Sequence, residues 1–367
     1  MKKLGIYLHI PFCRKKCLYC GFYSKGDSTS FEQEAYIKEL IGDISAYGQR
    51  YGRDYEIDTV FIGGGTPSLP DSALIGRVCE SLWKSFHIDR NAEITIETNP
   101  GTLTEKKLRD YRSFGINRLS IGVQSLDNRV LKTLGRIHTA EEFMENFALA
   151  RQVGFANINL DLMFAVPGHT MDSWENTLER ALELSPEHLS FYSLQIEEDT
   201  PFYRMFRDGI IDQIPDELDR QMYHKTIAQL REAGYVHYEI SNAAKPGFQC
   251  RHNLKYWSMD EYLGIGSSAS SYIEGTRFTE SPNPEFHINT KEDDMSEFVF
   301  TGLRKTCGID LGEFEKRFSQ DFWKVYGDRK AELADFFREG KLIEEVGRLR
   351  LSEAGIDISN AIMAVFV

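Results

Sequence analysis

Cys13-Arg-Lys-Lys-Cys17-Leu-Tyr-Cys20 is the stretch on which the reading of this chain turns. Its spacing is C-x3-C-x2-C, and it directly follows an apolar run, residues 4–10, short enough for a buried strand. Three thiolates on one short loop can hold three irons of a [4Fe–4S] cluster and leave the fourth iron open to a chelating ligand. The alternative is a zinc site with His9 or another side chain as fourth ligand. Structural zinc usually pairs its cysteines in two separated knuckles, and the sequence has no second knuckle. Cys79, Cys250 and Cys307 stand alone and read as buried, inert thiols.

The chain has 367 residues, 41% hydrophobic and 27% charged, which provides a sizeable core and argues against disorder. At ~100–200 residues per domain, that length allows two domains or three. Lys and Arg number 43, Asp and Glu 56; the net charge of −13 argues against a dominant basic nucleic-acid surface. No apolar run approaches the ~20 residues of a membrane helix. The apolar stretch after Lys2 and Lys3 is broken by His9 and Pro11, unlike a secretory signal. A cytoplasmic location is expected, and in a reducing compartment clustered cysteines point to metal or redox chemistry rather than disulfides.

Outward from the cysteine loop, apolar runs at residues 4–10, 59–62, 94–97, 118–123, 158–162 and 188–194 alternate with helical patterns at 31–47, 71–86, 105–114, 140–154 and 172–184. Several helical patterns end on glycine, as in Phe114-Gly115 and Val153-Gly154, which suits a helix C-cap. This alternation predicts about six parallel βα units, in a doubly wound sheet or a partial (β/α)6 barrel. Glu97, Gln124, Asp161 and Gln195 recur at the ends of the apolar runs, where a parallel barrel places functional side chains, and this favours the barrel. Residues 217–233 predict a further helix leading to a short strand. Residues 260–276 are rich in Gly and Ser and read as loop. The expected division is a barrel over 1–240, a connecting segment over 241–289 and a C-terminal α+β module over 290–367. In that module the patterns predict helices at 295–304, 311–318 and 329–339, a hairpin at 341–351 turning near Gly347, and a final helix at 352–360. The order is winged-helix-like, but its charges are mixed and DNA binding is not expected.

Phe61-Ile-Gly-Gly-Gly-Thr-Pro67 closes the second apolar run. Successive glycines permit close backbone approach to a ligand, and the segment is neither a P-loop nor a Rossmann fingerprint. Further motifs are Tyr7-Leu-His9-Ile-Pro11-Phe12-Cys13, Glu97 in Ile-Glu-Thr-Asn-Pro, Gln124 in Gly-Val-Gln-Ser, Gly135-Arg136-x-His138 and Asp161 in Asp-Leu-Met-x-x-x-Pro-Gly. Together they resemble the coproporphyrinogen III oxidase-like branch of the radical S-adenosylmethionine (SAM) superfamily, and the C-terminal module extends the resemblance to nearly the whole chain. The resemblance implies a radical SAM partial barrel with a [4Fe–4S] cluster on Cys13, Cys17 and Cys20. It implies SAM against Tyr7, Gly64, Gly65, Thr66, Glu97, Gln124, Arg136 and Asp161. Glu97 and Asp161 can accept from ribose hydroxyls or the amino group. Arg136 can pair with the methionine carboxylate. A structural salt bridge is the alternative for Arg136 and Asp161. Tyr19, beside Cys20, can flank the adenine ring.

Two functional types make up that branch. The oxygen-independent oxidase decarboxylates two propionates of coproporphyrinogen III to vinyl groups; the HemW type is a haem chaperone that binds haem and delivers it to other proteins. Phe22 stands where the oxidase type has a fourth cysteine, and Tyr7 and Cys13 lie without the long N-terminal extension of that type. Arg251-His252-Asn253-Leu254-Lys255-Tyr256-Trp257 carries the H-N-x-x-Y-W pattern of the chaperone type. The resemblance therefore implies a haem chaperone that keeps the cluster and SAM site, with Phe22 on the cofactor side, and the oxidase as the alternative. Whether SAM is cleaved stays open. His252 offers an imidazole to haem iron, Tyr256 and Trp257 flat faces to a porphyrin, and Lys255 or Arg251 a charge to a propionate. The alternative is a packed segment with a satisfied histidine. Cys250 is a second axial candidate, whereas His9 and His138 lie in SAM-side motifs. The implied partners are haem and haem-accepting proteins such as respiratory enzymes, without nucleic acid. A nucleic-acid-modifying radical SAM enzyme would need a basic surface that −13 disfavours. A peripheral membrane contact would leave no mark in the sequence.

Overall fold

The computed structural model describes residues 1–282 and 284–367. Six strands rich in branched apolar residues, and buried on both faces as parallel sheet demands, form its centre. They are β1 (Lys2–Ile10), β2 (Tyr55–Gly64), β3 (His87–Thr98), β4 (Arg118–Gln124), β5 (Ile158–Phe164) and β6 (His188–Ser193). They pair in that order, all parallel. The crossovers are α1 (Ser30–Tyr51), α2 (Ser72–Ser85), α3 (Glu105–Ser113), α4 (Ala140–Val153) and α5 (Met171–Glu183). Each starts where a side chain takes up an orphan N–H. Thr29 accepts from the Glu32 N–H while the Glu32 carboxylate reaches back to Thr29. Asp71 caps α2, and Thr139 and Glu142 repeat the reciprocal pair. The apolar stripes of these helices, such as Ile37, Leu40 and Ile44 or Ile75, Val78 and Leu82, are buried in the main core. Two short helices, Asn128–Thr133 and Pro201–Arg207, are too brief to show a period and are absent from the sequence expectation.

The opposite face of the sheet is hollow. Tyr7, Phe61, Glu97, Ser120, Asp161 and Ser190, one from each central strand, border a single lumen of about 240 Å3. Side chains from six successive strands can meet around one cavity only if the sheet curls, so the architecture is the partial barrel. The curl does not close. Further strands are β7 (Val236–Glu239), β8 (Asn242–Ala244), β9 (Tyr262–Ile265), β10 (Ser270–Ile273), β11 (Thr276–Thr279) and β12 (Phe286–Ile288). The full order is β12-β11-β10-β9-β1-β2-β3-β4-β5-β6-β8-β7.

Residues 260–276 are therefore not a loop, and the segment 241–289 extends the sheet rather than merely connecting two parts. β9 runs parallel to β1, with Gly5 opposite Tyr262 and Leu8 opposite Ile265, as a seventh parallel strand. The glycine that suggested a loop has a packing cause: a Cβ on Gly264 would lie 2.3 Å from the Ser270 carbonyl oxygen. Ahead of β9 come α6 (Asp216–Glu232) and the short α7 (Arg251–Trp257), which carries the H-N-x-x-Y-W residues. Glu93 of β3 accepts the first N–H groups of α7, from Arg251 and His252, at 3.2 Å each. This pins α7 to the sheet beside the lumen.

The C-terminal part contains helices Lys291–Gly302, Leu311–Phe318 and Lys330–Arg338. A hairpin of Leu342–Glu345 and Arg348–Leu351 follows, joined by Ile309–Asp310 as a third strand. The single final helix expected at 352–360 is two, Glu353–Ile356 and Ser359–Ala364. The break turns the chain so that Ile362, Met363 and Phe366 are buried, with the Phe366 ring 5.3 Å from Tyr326. Among the described residues no helix is long and apolar enough to cross a membrane.

Candidate functional site

β1 hands the chain to the cysteine loop at the mouth of the curled sheet. Phe12–Cys13 pair with Lys25–Gly26 and close the base of the loop. Leu18 ties its middle down, donating to the Leu134 carbonyl at 3.1 Å and accepting from the Phe202 N–H at 2.9 Å. Cys13, Cys17 and Cys20 are half-buried. Thr66 Oγ1 donates to Cys13 Sγ at 3.7 Å and Arg136 Nη1 to Cys17 Sγ at 3.5 Å. Burial pushes the Cys13 and Cys20 thiols up, with Thr66 opposing this at Cys13, so metal binding there displaces protons. Among the described residues no three His, Cys, Asp or Glu side chains gather around one point as a single ion needs. A cubane does not require that, because it meets each thiolate at a different iron. His9, the fourth ligand of the zinc alternative, has both ring nitrogens engaged, by the Tyr7 hydroxyl and the Tyr23 carbonyl at 3.0 Å each. The all-thiol donor set fits an iron–sulfur cluster.

The glycine loop lies flush against this entry. The Gly65 N–H donates to the Ile10 carbonyl at 2.9 Å, and a Cβ on Gly65 would stand 2.8 Å from backbone atoms of Pro11 and Phe12. Gly64 donates to Glu97 Oε2 at 3.0 Å. Thr66 Oγ1 accepts from Asn99 Nδ2 at 2.8 Å, and Asn99 Oδ1 accepts from Arg136 Nη2 at 2.7 Å. Thr66, Asn99, Arg136 and Cys17 thus form one chain of contacts around a small hollow beside the cluster loop. Arg136 also donates to the Gly122 carbonyl, and among the described residues it has no carboxylate partner, which removes the structural salt bridge as its role. Asn99 is the residue that motif reading passed over, although it stands two positions after Glu97 at the same strand end.

Inside the lumen, Asp161 accepts from Asn159 Nδ2 at 2.7 Å and Ser120 Oγ at 3.4 Å. Loss of solvent raises the Asp161 carboxyl, and it also lifts Glu97, with the Asp161 charge adding to it, to about 8. Gln124 ends β4 in a left-handed conformation, φ 66°, and its Oε1 accepts from the Tyr192 hydroxyl at 2.8 Å. That backbone costs about 1–2 kcal/mol. Tyr19 is half-buried in the cluster loop with its ring 6.5 Å from Phe202. Gln195, expected to join Glu97, Gln124 and Asp161, is exposed beyond the end of β6.

His252 is 1% exposed. Its Nδ1 lies 2.8 Å from Thr59 Oγ1 and its Nε2 2.8 Å from the Tyr256 hydroxyl. Burial, then the Lys255 and Arg118 charges, hold its pKa down to about 3, so the ring is neutral with both nitrogens bonded. This is the arrangement of the satisfied histidine. Cys250 is buried, its thiol is pushed up to about 12 by burial, and its Sγ lies 3.6 Å from Glu93. Cys79 is buried as expected, but Cys307 is exposed, in the turn before Ile309–Asp310. Lys255 is buried and held by Asp58 at 2.9 Å, whereas Arg251 is exposed and its Nη1 donates to the Asn91 carbonyl at 2.7 Å. Tyr256 and Trp257 face a second hollow of about 450 Å3, walled also by Phe22, Tyr23, Met259 and Tyr262. This aromatic cleft shares Tyr7 and Tyr256 with the lumen. Phe22 is 74% exposed, an apolar ring without a covering partner on its outer side.

A curled parallel sheet with a three-cysteine loop and a glycine loop joined at its mouth defines the radical SAM class. Residues 7–181 match the Radical SAM superfamily, and residues 289–358 match the HemN C-terminal domain. "Heme chaperone HemW" of Lactococcus lactis is 33% identical, across 100% of this chain and 98% of its own length. The protein of that name in Escherichia coli is 40% identical across 74% of this chain and 70% of its own. The chain belongs to the HemW family. The structure of coproporphyrinogen III oxidase (HemN) from Escherichia coli superposes with a TM-score of 0.88, covering 100% of this chain and 90% of its own at 23% identity, and so shares the fold. Radical SAM membership implies a [4Fe–4S] cluster and SAM.

Proposed function

We propose that this protein binds haem and passes it to acceptor proteins, with Cys13, Cys17 and Cys20 holding the [4Fe–4S] cluster. SAM sits against Tyr7, Gly64, Gly65, Thr66, Glu97, Gln124, Arg136 and Asp161, with Tyr19 flanking the adenine. The cluster supplies the electron that reductive SAM chemistry needs. The residues around it orient SAM and keep water out. The observation that carries the haem reading is the aromatic cleft beside the cluster loop. Flat apolar walls of Tyr256, Trp257, Tyr262, Phe22 and Tyr23 suit a porphyrin body. The relatives named heme chaperones support the same reading. For His252 to serve as axial ligand, α7 must first give up its bond to Thr59 or Tyr256. The acceptors are haem proteins such as respiratory enzymes, met in the cytoplasm or at a membrane surface, and nucleic acid is not a partner.

The test is a haemin titration of cluster-reconstituted protein, followed by transfer to an apo-acceptor. A saturable Soret change and holo-acceptor formation are expected. Absence of binding overturns the reading. So does a vinyl-bearing product from anaerobic incubation with SAM, a strong reductant and coproporphyrinogen III, which would make the protein an oxidase.

A further inference from the structure

Arg118 opens β4 at the lumen wall and is 1% exposed. Its Nε is buried without a partner, and among the described residues its guanidinium makes no hydrogen bond or ion pair. A guanidinium presents five N–H donors in a rigid fork, and enclosing one with none satisfied is strongly unfavourable. The nearby acids do not supply the missing acceptors. Glu93 is occupied by the N–H groups of Arg251 and His252 and by the Cys250 thiol. Asp161 is occupied by Asn159 and Ser120. The fork therefore faces the lumen, whose polar lining and volume of about 240 Å3 leave room for water against the guanidinium. The same space admits a short acidic arm.

The aromatic cleft adjoins this space, and among the described residues that line it none offers an unpaired Lys or Arg. Arg277, on its wall, is held bidentate by Glu297, with Nε 2.6 Å from Oε1. Tyr7 and Tyr256 are the partition between cleft and lumen. We propose that Arg118 is the receptor for a carboxylate arm of a planar macrocycle seated in the cleft, reaching across the Tyr7–Tyr256 partition. For haem the arm is a propionate, and the inference in that form rests on the haem reading above.

The experiment titrates the cluster-reconstituted full chain with haemin and with haemin dimethyl ester, whose propionates are blocked, and follows the Soret band. The wild-type protein is expected to bind haemin about tenfold or more tightly than the diester, the worth of a charge-assisted hydrogen bond. Arg118→Gln is expected to bind both equally, and Arg118→Lys to keep part of the preference. Thermal unfolding checks that each variant folds. If Arg118→Gln does not fold, the comparison within the wild type and Arg118→Lys still decides. Equal binding of haemin and diester by the wild type overturns the role of Arg118 and leaves the haem reading standing. A preference that persists in Arg118→Gln also overturns it, by assigning the carboxylate to another cation. Failure of both ligands to bind overturns the haem reading itself.

Discussion

Glu97→Gln probes the lumen through its titration. In the ligand-free protein, solvent loss and the Asp161 charge place the Glu97 pKa at about 8, against the pull of the Gly64 N–H. If SAM needs the carboxylate as an acceptor, binding must first remove that proton. Apparent affinity then follows the ionised fraction, which is one half at the pKa and approaches a tenfold fall per pH unit below it, so between pH 8 and about pH 6.5 it drops by about 16-fold, or about 1.6 kcal/mol. Equilibrium dialysis of SAM against cluster-reconstituted protein across that range reads this directly. Glu97→Gln, which keeps the shape and removes the titration, is expected to bind more weakly at the alkaline end and to lose this slope. The amino group of SAM also titrates, but its contribution survives in the variant, so the difference between the two curves belongs to Glu97. A flat wild-type profile, or the same slope in both proteins, would refute the reasoning. Linkage adds a second reading. Because the folded pKa is raised, the protonated group favours folding below the ordinary carboxylate range of ~4.3, and that contribution is lost as pH rises through about 8. The melting temperature of Glu97→Gln should gain on the wild type as pH increases through this interval.

Cys17→Ala is expected to abolish the cluster; an unchanged iron–sulfur absorbance after reconstitution would remove Cys17 from the ligand set. Gly65→Ala must open the 2.8 Å approach to Phe12 and Pro11 toward ordinary contact, at a cost of about 1–3 kcal/mol, and should lower both the melting temperature and the bound iron. Wild-type values of both would show that the glycine loop does not seat the cysteine loop. His252→Ala leaves the Thr59 and Tyr256 hydroxyls without their buried partner and should cost about 2–5 kcal/mol in denaturant unfolding. If it also alters the haem Soret band, the imidazole reaches iron. An unchanged band with lowered stability assigns the residue to structure alone.

Much of the fold was legible because its local rules agree. The runs that became β1 to β6 are short, branched and apolar, and the crossover helices begin at Thr or Asp caps that the sequence displays. The cysteine loop and glycine segment were legible because their chemistry needs fixed spacings. β9 was not, because Gly264 satisfies a close approach to β10 that only the paired strands reveal. Arg118 was hidden for a similar reason. One charged residue at a strand start looks like an ordinary solvated end, and its isolation emerges only when Glu93 and Asp161 prove to be occupied elsewhere. The motif at α7 was legible as a motif, but the pattern does not say which way each ring turns. His252 and Tyr256 bond one another, so the helix presents aromatic walls to the cleft rather than a free imidazole.

The pairing of β9 with β1 also sets an order of birth. The three cysteines are made first, and Tyr262–Ile265, which flank the strand leading to them, follow about 245 residues later. At ~5–20 residues per second that interval is roughly 12–50 s. During it the nascent chain carries its three thiols on a loop that follows a strand with one side unpaired, and without α7 across its neighbours. Loading of the metal therefore belongs after β9 has been made, when the last parallel strand has clamped the first.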